Sequence, residues 1–173
     1  MSDKEAANAL QIAFAREANF CLDYGMNKIE HCLRQLDDAQ VWWRPREEMN
    51  SIGNLLLHVA GNLRQWIVAG VGDVEDVRVR QAEFDERALP KAEVFDQLRN
   101  VIEQAKVTIT STSASELLTD KIIQGHDTNK MQAIWHSVTH FQGHVQEIIG
   151  MTRQQLGPAY EFEWSPSSPE EGA

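Results

Sequence analysis

Cysteine is scarce in this chain, with only Cys21 and Cys32 among 173 residues. Both fall in one predicted helix, where their spacing spans roughly 16 Å at about 1.5 Å per residue. A disulfide tolerates Cα atoms no more than about 7 Å apart, so both thiols are read as reduced, in keeping with a cytoplasmic address. Neither has a CxxC partner, which leaves thiol-redox and cysteine–zinc chemistry little support. Long apolar runs are also missing. The longest, around Ile67 to Val71, falls far short of the roughly 20 residues that a transmembrane helix needs. The opening MSDKEAANAL lacks the basic-then-apolar order of a secretory signal. Basic charge is in deficit too: 16 Lys and Arg against 26 Asp and Glu give a net charge of −10. No basic stripe of the kind that binds nucleic acid is visible. The expectation is a cytoplasmic protein with neither nucleic acid nor membrane as partner.

Strand-type alternation is weak, and helical periodicity fills the space it leaves. Residues 5–36 carry Leu10, Phe14, Ala18, Leu22, Ile29, Leu33 and Leu36 in a helical stripe. Pro45 stops the pattern within VWWRPREEMN. Ser51 caps a second helix running to about Ala69, closed by Gly70 and Gly72. Residues 73–88 read as a charged surface loop. Pro90 near N1 opens a third helix, and SASELLTDKIIQGHDTN reads as a connector with one helical turn at Glu116 to Leu118. A fourth helix runs from Thr128 or Asn129 to Leu156, stopped by Gly157-Pro158. The pattern predicts an all-α four-helix bundle, one domain over residues 1–157, and an extended tail over 158–173 whose last eight residues are disordered. Pairing of the aromatic tail as a strand is a minor alternative.

Within this frame, HSVTHFQGH places His136, His140 and His144 on successive turns. At about 100° per residue, His144 and His136 lie near +40° and −40° of His140, and the apolar stripe of that helix centres near 130°. On the second helix, His58 is offset from its own stripe by a similar angle, about 115°. Two helices packed through their stripes can therefore bring His58, His140 and His144 into one cleft, because imidazoles on neighbouring turns can chelate one ion. Spacing alone leaves two readings open, a metal site and an ordinary polar helix edge. Asn54, Asn62 and Gln65 around His58 suit outer-shell support. Glu147 is a candidate ligand, outer-shell acceptor or general base, and His136 a candidate fourth ligand or support. His31 and His126 read as surface residues. Trp42, Trp43, Trp66 and Trp135 read as core and loop anchors. Arg78 and Arg80, on the charged loop, are weak candidates for contacting an anionic substrate.

The segments VWWRPREEMNSIGNLLLHVAGNLRQWI and HSVTHFQGHVQEIIGMTRQQLG resemble the DinB-like (YfiT-like) superfamily of candidate metalloenzymes. The likeness covers residues 41–157 through a Trp-Arg-Pro loop, a Ser-Ile-Gly helix start, the second-helix histidine and the HxxxH pair. Many members continue from the last histidine as His-x-Gly-Gln, whereas here His144 is followed by Val-Gln-Glu, so Glu147 stands where a Gln is common. The resemblance implies His58, His140 and His144 as metal ligands, zinc or nickel as the ion, an up-down-down-up bundle, and a homodimer. It also implies a small-molecule substrate and a low-molecular-weight thiol such as mycothiol, bacillithiol or glutathione. The function expected is a metal-dependent transferase that activates a thiol. The alternatives are a hydrolase that activates water, and a non-catalytic, stress-related binding or dimerisation module.

Overall fold

The computed structural model of the chain describes residues 2–163, and the disorder expected for the last eight residues lies outside them. α1 spans Asp3–Arg34 and α2 spans Asp38–Trp42. α3 spans Ile52–Leu63 and continues without a break into a π-helix over Arg64–Val71. α4 (Arg80–Asp85) and α5 (Lys91–Ser111) come next. A two-stranded hairpin, β1 (Asp120–Ile123) and β2 (His126–Asn129), leads directly into α6, Lys130–Leu156.

Capping chemistry explains most of the starts. Ser2, Asp37, Ser51 and Asn129 each accept from the backbone three residues on, and the residue at that position bonds back in a capping box. α6 ends at Gly157, whose φ of +53° suits glycine. The long helices pair around a ring: α1 lies against α5 and α6, and α3 lies against the same two. One contiguous cluster of buried side chains fills the space between them, with Leu22, Ile29, Leu55, Leu56, Leu98, Ile102, Ile134 and Phe141 almost wholly enclosed. Each such side chain contributes about 1.5–3 kcal/mol through burial. Among the described residues no helix is long and apolar enough to cross a membrane.

The fold departs from the sequence reading in the segments that surround the second helix. The connector before α6 contains the hairpin, in antiparallel register from Asp120↔Asn129 to Ile123↔His126. Its two-residue turn, Gln124-Gly125, has positive φ at both positions, as a type I′ turn requires. Short polar strands of four residues give too little alternation to announce themselves. The charged stretch 73–88 is not simply a loop, because α4 forms within it and buries Glu83. The second helix passes into π geometry, with Gly72 N–H bonding to Ile67 O at 3.0 Å. Gly70 lets the Ile123 side chain of the hairpin settle against that segment. The tail is not a strand where it is described. After a short 3-10 turn at Gly157–Ala159, Glu161 N–H bonds to Gln35 Oε1 at 2.7 Å, holding the chain on α1.

Glycines on facing helices should respond oppositely to substitution. Gly25 of α1 lies where a Cβ would come within 2.5 Å of the Phe141 ring, so Gly25→Val should cost about 1–3 kcal/mol by overpacking. Gly143 on exposed α6 surface would place a Cβ in open space, so Gly143→Ala should add about 0.5–1 kcal/mol. Urea midpoints of the two variants check this, and a Gly25→Val midpoint equal to the parent's would contradict the close contact of α1 with α6.

Candidate metal centre

α3 and α6 pack against each other with their histidines on the same side. Along the contact, His58 meets His140 and His144, Asn62 accepts from Ser137 Oγ at 2.7 Å, and Trp66 lies on His136. Rising numbers on α3 meet falling numbers on α6, so the two run antiparallel. Ring centroids stand 5.2 Å apart for His58–His140, 5.3 Å for His58–His144 and 4.6 Å for His140–His144. One ring nitrogen from each of the three falls within 4.8 Å of the other two.

These residues fit a divalent ion. Nitrogens bound at about 2.0–2.1 Å in a tetrahedral site sit roughly 3.3 Å apart, and His58 Nε2 and His140 Nε2 are separated by 3.1 Å. Two of the rings are also held from behind. His58 Nδ1 meets Glu83 Oε2 at 3.1 Å, and His144 Nδ1 meets Glu147 Oε2 at 2.8 Å. A carboxylate beside Nδ1 is the usual outer-shell partner of a histidine that ligates a metal through Nε2. The two carboxylates differ in setting, with Glu83 only 10% exposed and Glu147 47% exposed.

Burial, reinforced by His144, His58, His136 and Arg78, pushes the pKa of His140 down to about 4. Its imidazole is therefore neutral, with a lone pair to offer, throughout the physiological range. Burial acts to raise the Glu83 pKa, but hydrogen bonds from Arg78 and His58 outweigh it and hold the carboxyl below its ordinary value.

The other sequence candidates are distributed more widely. His136 is exposed, stacked on Trp66 at 4.3 Å and parallel to His140 at 6.0 Å, outside the trio of converging nitrogens. His31 bonds to the tail at Glu161 O, and His126 is exposed on β2. Trp42 anchors a loop by donating to Leu89 O at 2.8 Å and Trp66 is buried, whereas Trp43 and Trp135 are exposed. Asn54 and Gln65 serve the chain segments that pass over α3, since Asn54 donates to Glu83 O and Glu86 O, and Gln65 bonds Asp76 and Arg78. Arg78 is paired with Glu83 and its side chain is 3% exposed. Arg80 covers the ring of Phe84, which in turn lies 5.2 Å from His58. Glu83 is the site residue that sequence reasoning missed. Nothing in DVEDVRVRQAEFDERA sets it apart from its acidic neighbours, and its partner is 25 residues away. A cavity of about 500 Å³ opens between α3, α4 and α5, lined by Gly61, Arg64, Glu83 and Val101. None of the three clustered histidines lines it, whereas Arg78 and Glu83 behind His58 do.

A family model described as a protein of unknown function, DUF1572, matches residues 11–164. The chain belongs to this family, which is DinB-like. Similar solved structures include a conserved protein of Enterococcus faecalis, at TM-score 0.69 and 14% identity over 82% of this chain and 96% of that one. A DinB-like protein of Bacillus cereus aligns at TM-score 0.59 and 15% identity over 77% of this chain and 87% of that one. At such identities the likeness shows the fold alone, an all-α DinB-like architecture. No curated protein matches the chain at a significant level.

The His140 environment gives a signed pH dependence in the metal-free state. Its folded pKa of about 4 lies below the 6.5 of an ordinary imidazole, so the unfolded chain binds more protons between those values. Stability is then full above about pH 6.5 and falls as the pH drops toward 4. The unfolding temperature of chelator-treated protein should fall by several degrees between about pH 7 and pH 4.5. His140→Gln should flatten that slope, and a slope indifferent to the substitution would place its origin elsewhere.

Proposed function

We propose that this protein is a divalent-metal-dependent enzyme in which His58, His140 and His144 hold the ion, zinc or nickel, and that it activates a low-molecular-weight thiol for transfer to a small-molecule substrate. The observation that carries the reading is the convergence of three imidazole nitrogens from two helices, two of them backed by carboxylates. Three neutral ligands leave the charge of a bound ion uncompensated, so it would supply strong Lewis acidity to a thiol or water at an open fourth position.

The chain's own residues account for the rest. Glu83 and Glu147 orient the rings of His58 and His144. Glu147 is also open enough to solvent to pass a proton to or from the site. Phe84 shields one side of the His58 ring from water. His136, next to His140 and packed on Trp66, is placed to steer an incoming group rather than to ligate. DinB-like membership supports the thiol over water, since the thiol-dependent transferases belong to that resemblance. The same reading takes residues 1–157 as one domain, an up-down-down-up bundle acting as a cytoplasmic homodimer. The contiguous core and the pairing of α1 with α5 and α6 support the bundle.

Mass-spectrometric metal content of untagged protein tests the core of this proposal. Near-stoichiometric metal should be found in the parent and should fall at least tenfold in His58→Ala and His140→Ala, given that ligand loss outweighs the about 10–100-fold effect of outer-shell changes. Metal absent from the parent after remetallation would end the enzyme reading and leave a binding or dimerisation module. In cobalt-substituted protein, added low-molecular-weight thiol should alter the visible spectrum, and an unaltered spectrum would transfer the preference to hydrolysis.

A further inference from the structure

The charged stretch between the π-helix and α5 clasps the back of His58. Arg78 donates from Nε to Glu83 Oε1 at 2.6 Å and from Nη2 to Oε2 at 2.8 Å, while Nη1 reaches Gln65 Oε1 at 2.9 Å. The clasp is seated on Gly61, where a Cβ would collide with Glu83 Oε1 and come within 2.8 Å of Arg78 Nε. Asn54 fixes the backbone beside it by donating to the carbonyls of Glu83 and Glu86 at 2.9 and 3.0 Å.

His58 Nδ1 consequently faces an acceptor and a donor at once: Glu83 Oε2 at 3.1 Å and Arg78 Nη2 at 3.2 Å. The two call for opposite tautomers. A proton on Nδ1 is donated to Glu83 and leaves Nε2 with its lone pair. A proton on Nε2 instead points at His140 Nε2, 3.1 Å away, and lets Nδ1 accept from Arg78. Only the first form can ligate a metal through Nε2. Arg78 Nη2 has other acceptors, in Glu83 and in the His58 carbonyl at 3.5 Å. A bare Nδ1, by contrast, would set its lone pair against a carboxylate. Each bond has one ionised partner, so the repulsion between a bare Nδ1 and the Glu83 carboxylate decides for the Nδ1–H form.

We propose that Glu83, clamped by Arg78 and seated on Gly61, is a positioning residue that fixes His58 as the Nδ1–H tautomer and so presets Nε2 as a ligand before any metal arrives. Its purpose rests on the metal reading above, while the tautomer itself does not depend on that reading.

Nitrogen-15 NMR of the histidine rings in chelator-treated protein reads the tautomer directly, and zinc affinity is measured by competition with a chromophoric chelator. The parent should show His58 as Nδ1–H. In Glu83→Gln, Arg78 becomes the dominant neighbour of Nδ1, the proton should move to Nε2, and zinc affinity should fall about 10- to 100-fold. Adding Arg78→Met to that variant removes the competing donor and should recover part of the loss, which a simple packing defect would not do. Gly61→Ala displaces the carboxylate with both charges kept and should shift tautomer and affinity in the same direction as Glu83→Gln. An Nε2–H parent overturns the proposal, even if no variant folds. So does a Glu83→Gln protein whose tautomer is unchanged and whose zinc affinity stays within about twofold of the parent. A double variant no better than Glu83→Gln overturns the role given to Arg78. If the parent is Nδ1–H and Glu83→Gln flips it, yet no form takes up zinc, the positioning role stands and the metal-dependent function falls.

Discussion

The antiparallel packing of α3 on α6 is the constraint on which the site depends. Each helix buries an apolar stripe, and each carries a polar edge displaced from that stripe by roughly a quarter to a third of a turn. Burial of the stripes fixes the rotation of both helices, and the polar edges are then brought face to face without any attraction of their own. His58 against His140 and His144, Asn62 against Ser137, and Trp66 against His136 are successive rungs of that one contact. Convergence of the imidazoles is therefore a by-product of hydrophobic packing. It is stable for the reason the core is stable.

Keeping uncharged polar rings at a half-buried helix interface is inexpensive, whereas keeping charge there is not. The chain resolves this unevenly. Around His58 it brings in a complete ion pair, so that Glu83 can stay ionised beside the core with Arg78 as counter-charge. An isolated buried carboxylate would cost far more than the paired one. Around His144 it uses Glu147, which is open to water and needs no counter-ion. One histidine is thus held by an enclosed, neutralised network and the other by a solvated carboxylate. That asymmetry separates an enclosed side of the site from a solvent-open one.

Much of the architecture was legible from local chemistry. Ser51 as a cap, Gly157-Pro158 as a stop, and the apolar stripes of α1, α5 and α6 are short-range signals, and they survive folding because tertiary packing uses the same stripes. The hairpin was not legible, since DKII and HDTN are too short and too polar to show alternation and are held by Lys121 to Asp73 and by Ile123 on Gly70. α4 was not legible for a related reason. A six-residue helix without a side-chain cap has little stability of its own, and its docking onto α3 is what makes it persist.

The sequence by itself determined which residues could share a face: His140 and His144 by their four-residue spacing, and His58 by its offset from the second stripe. Helical period is a local property of the backbone, so those relations hold in any fold that keeps the helices. Only the tertiary structure decided that the two faces meet, that Glu83 rather than another acid stands behind His58, and that Arg78 pairs with Glu83. Those outcomes depend on how segments distant in sequence are rotated and seated, on Gly61 and on the carbonyls held by Asn54, and no spacing within a single element encodes them.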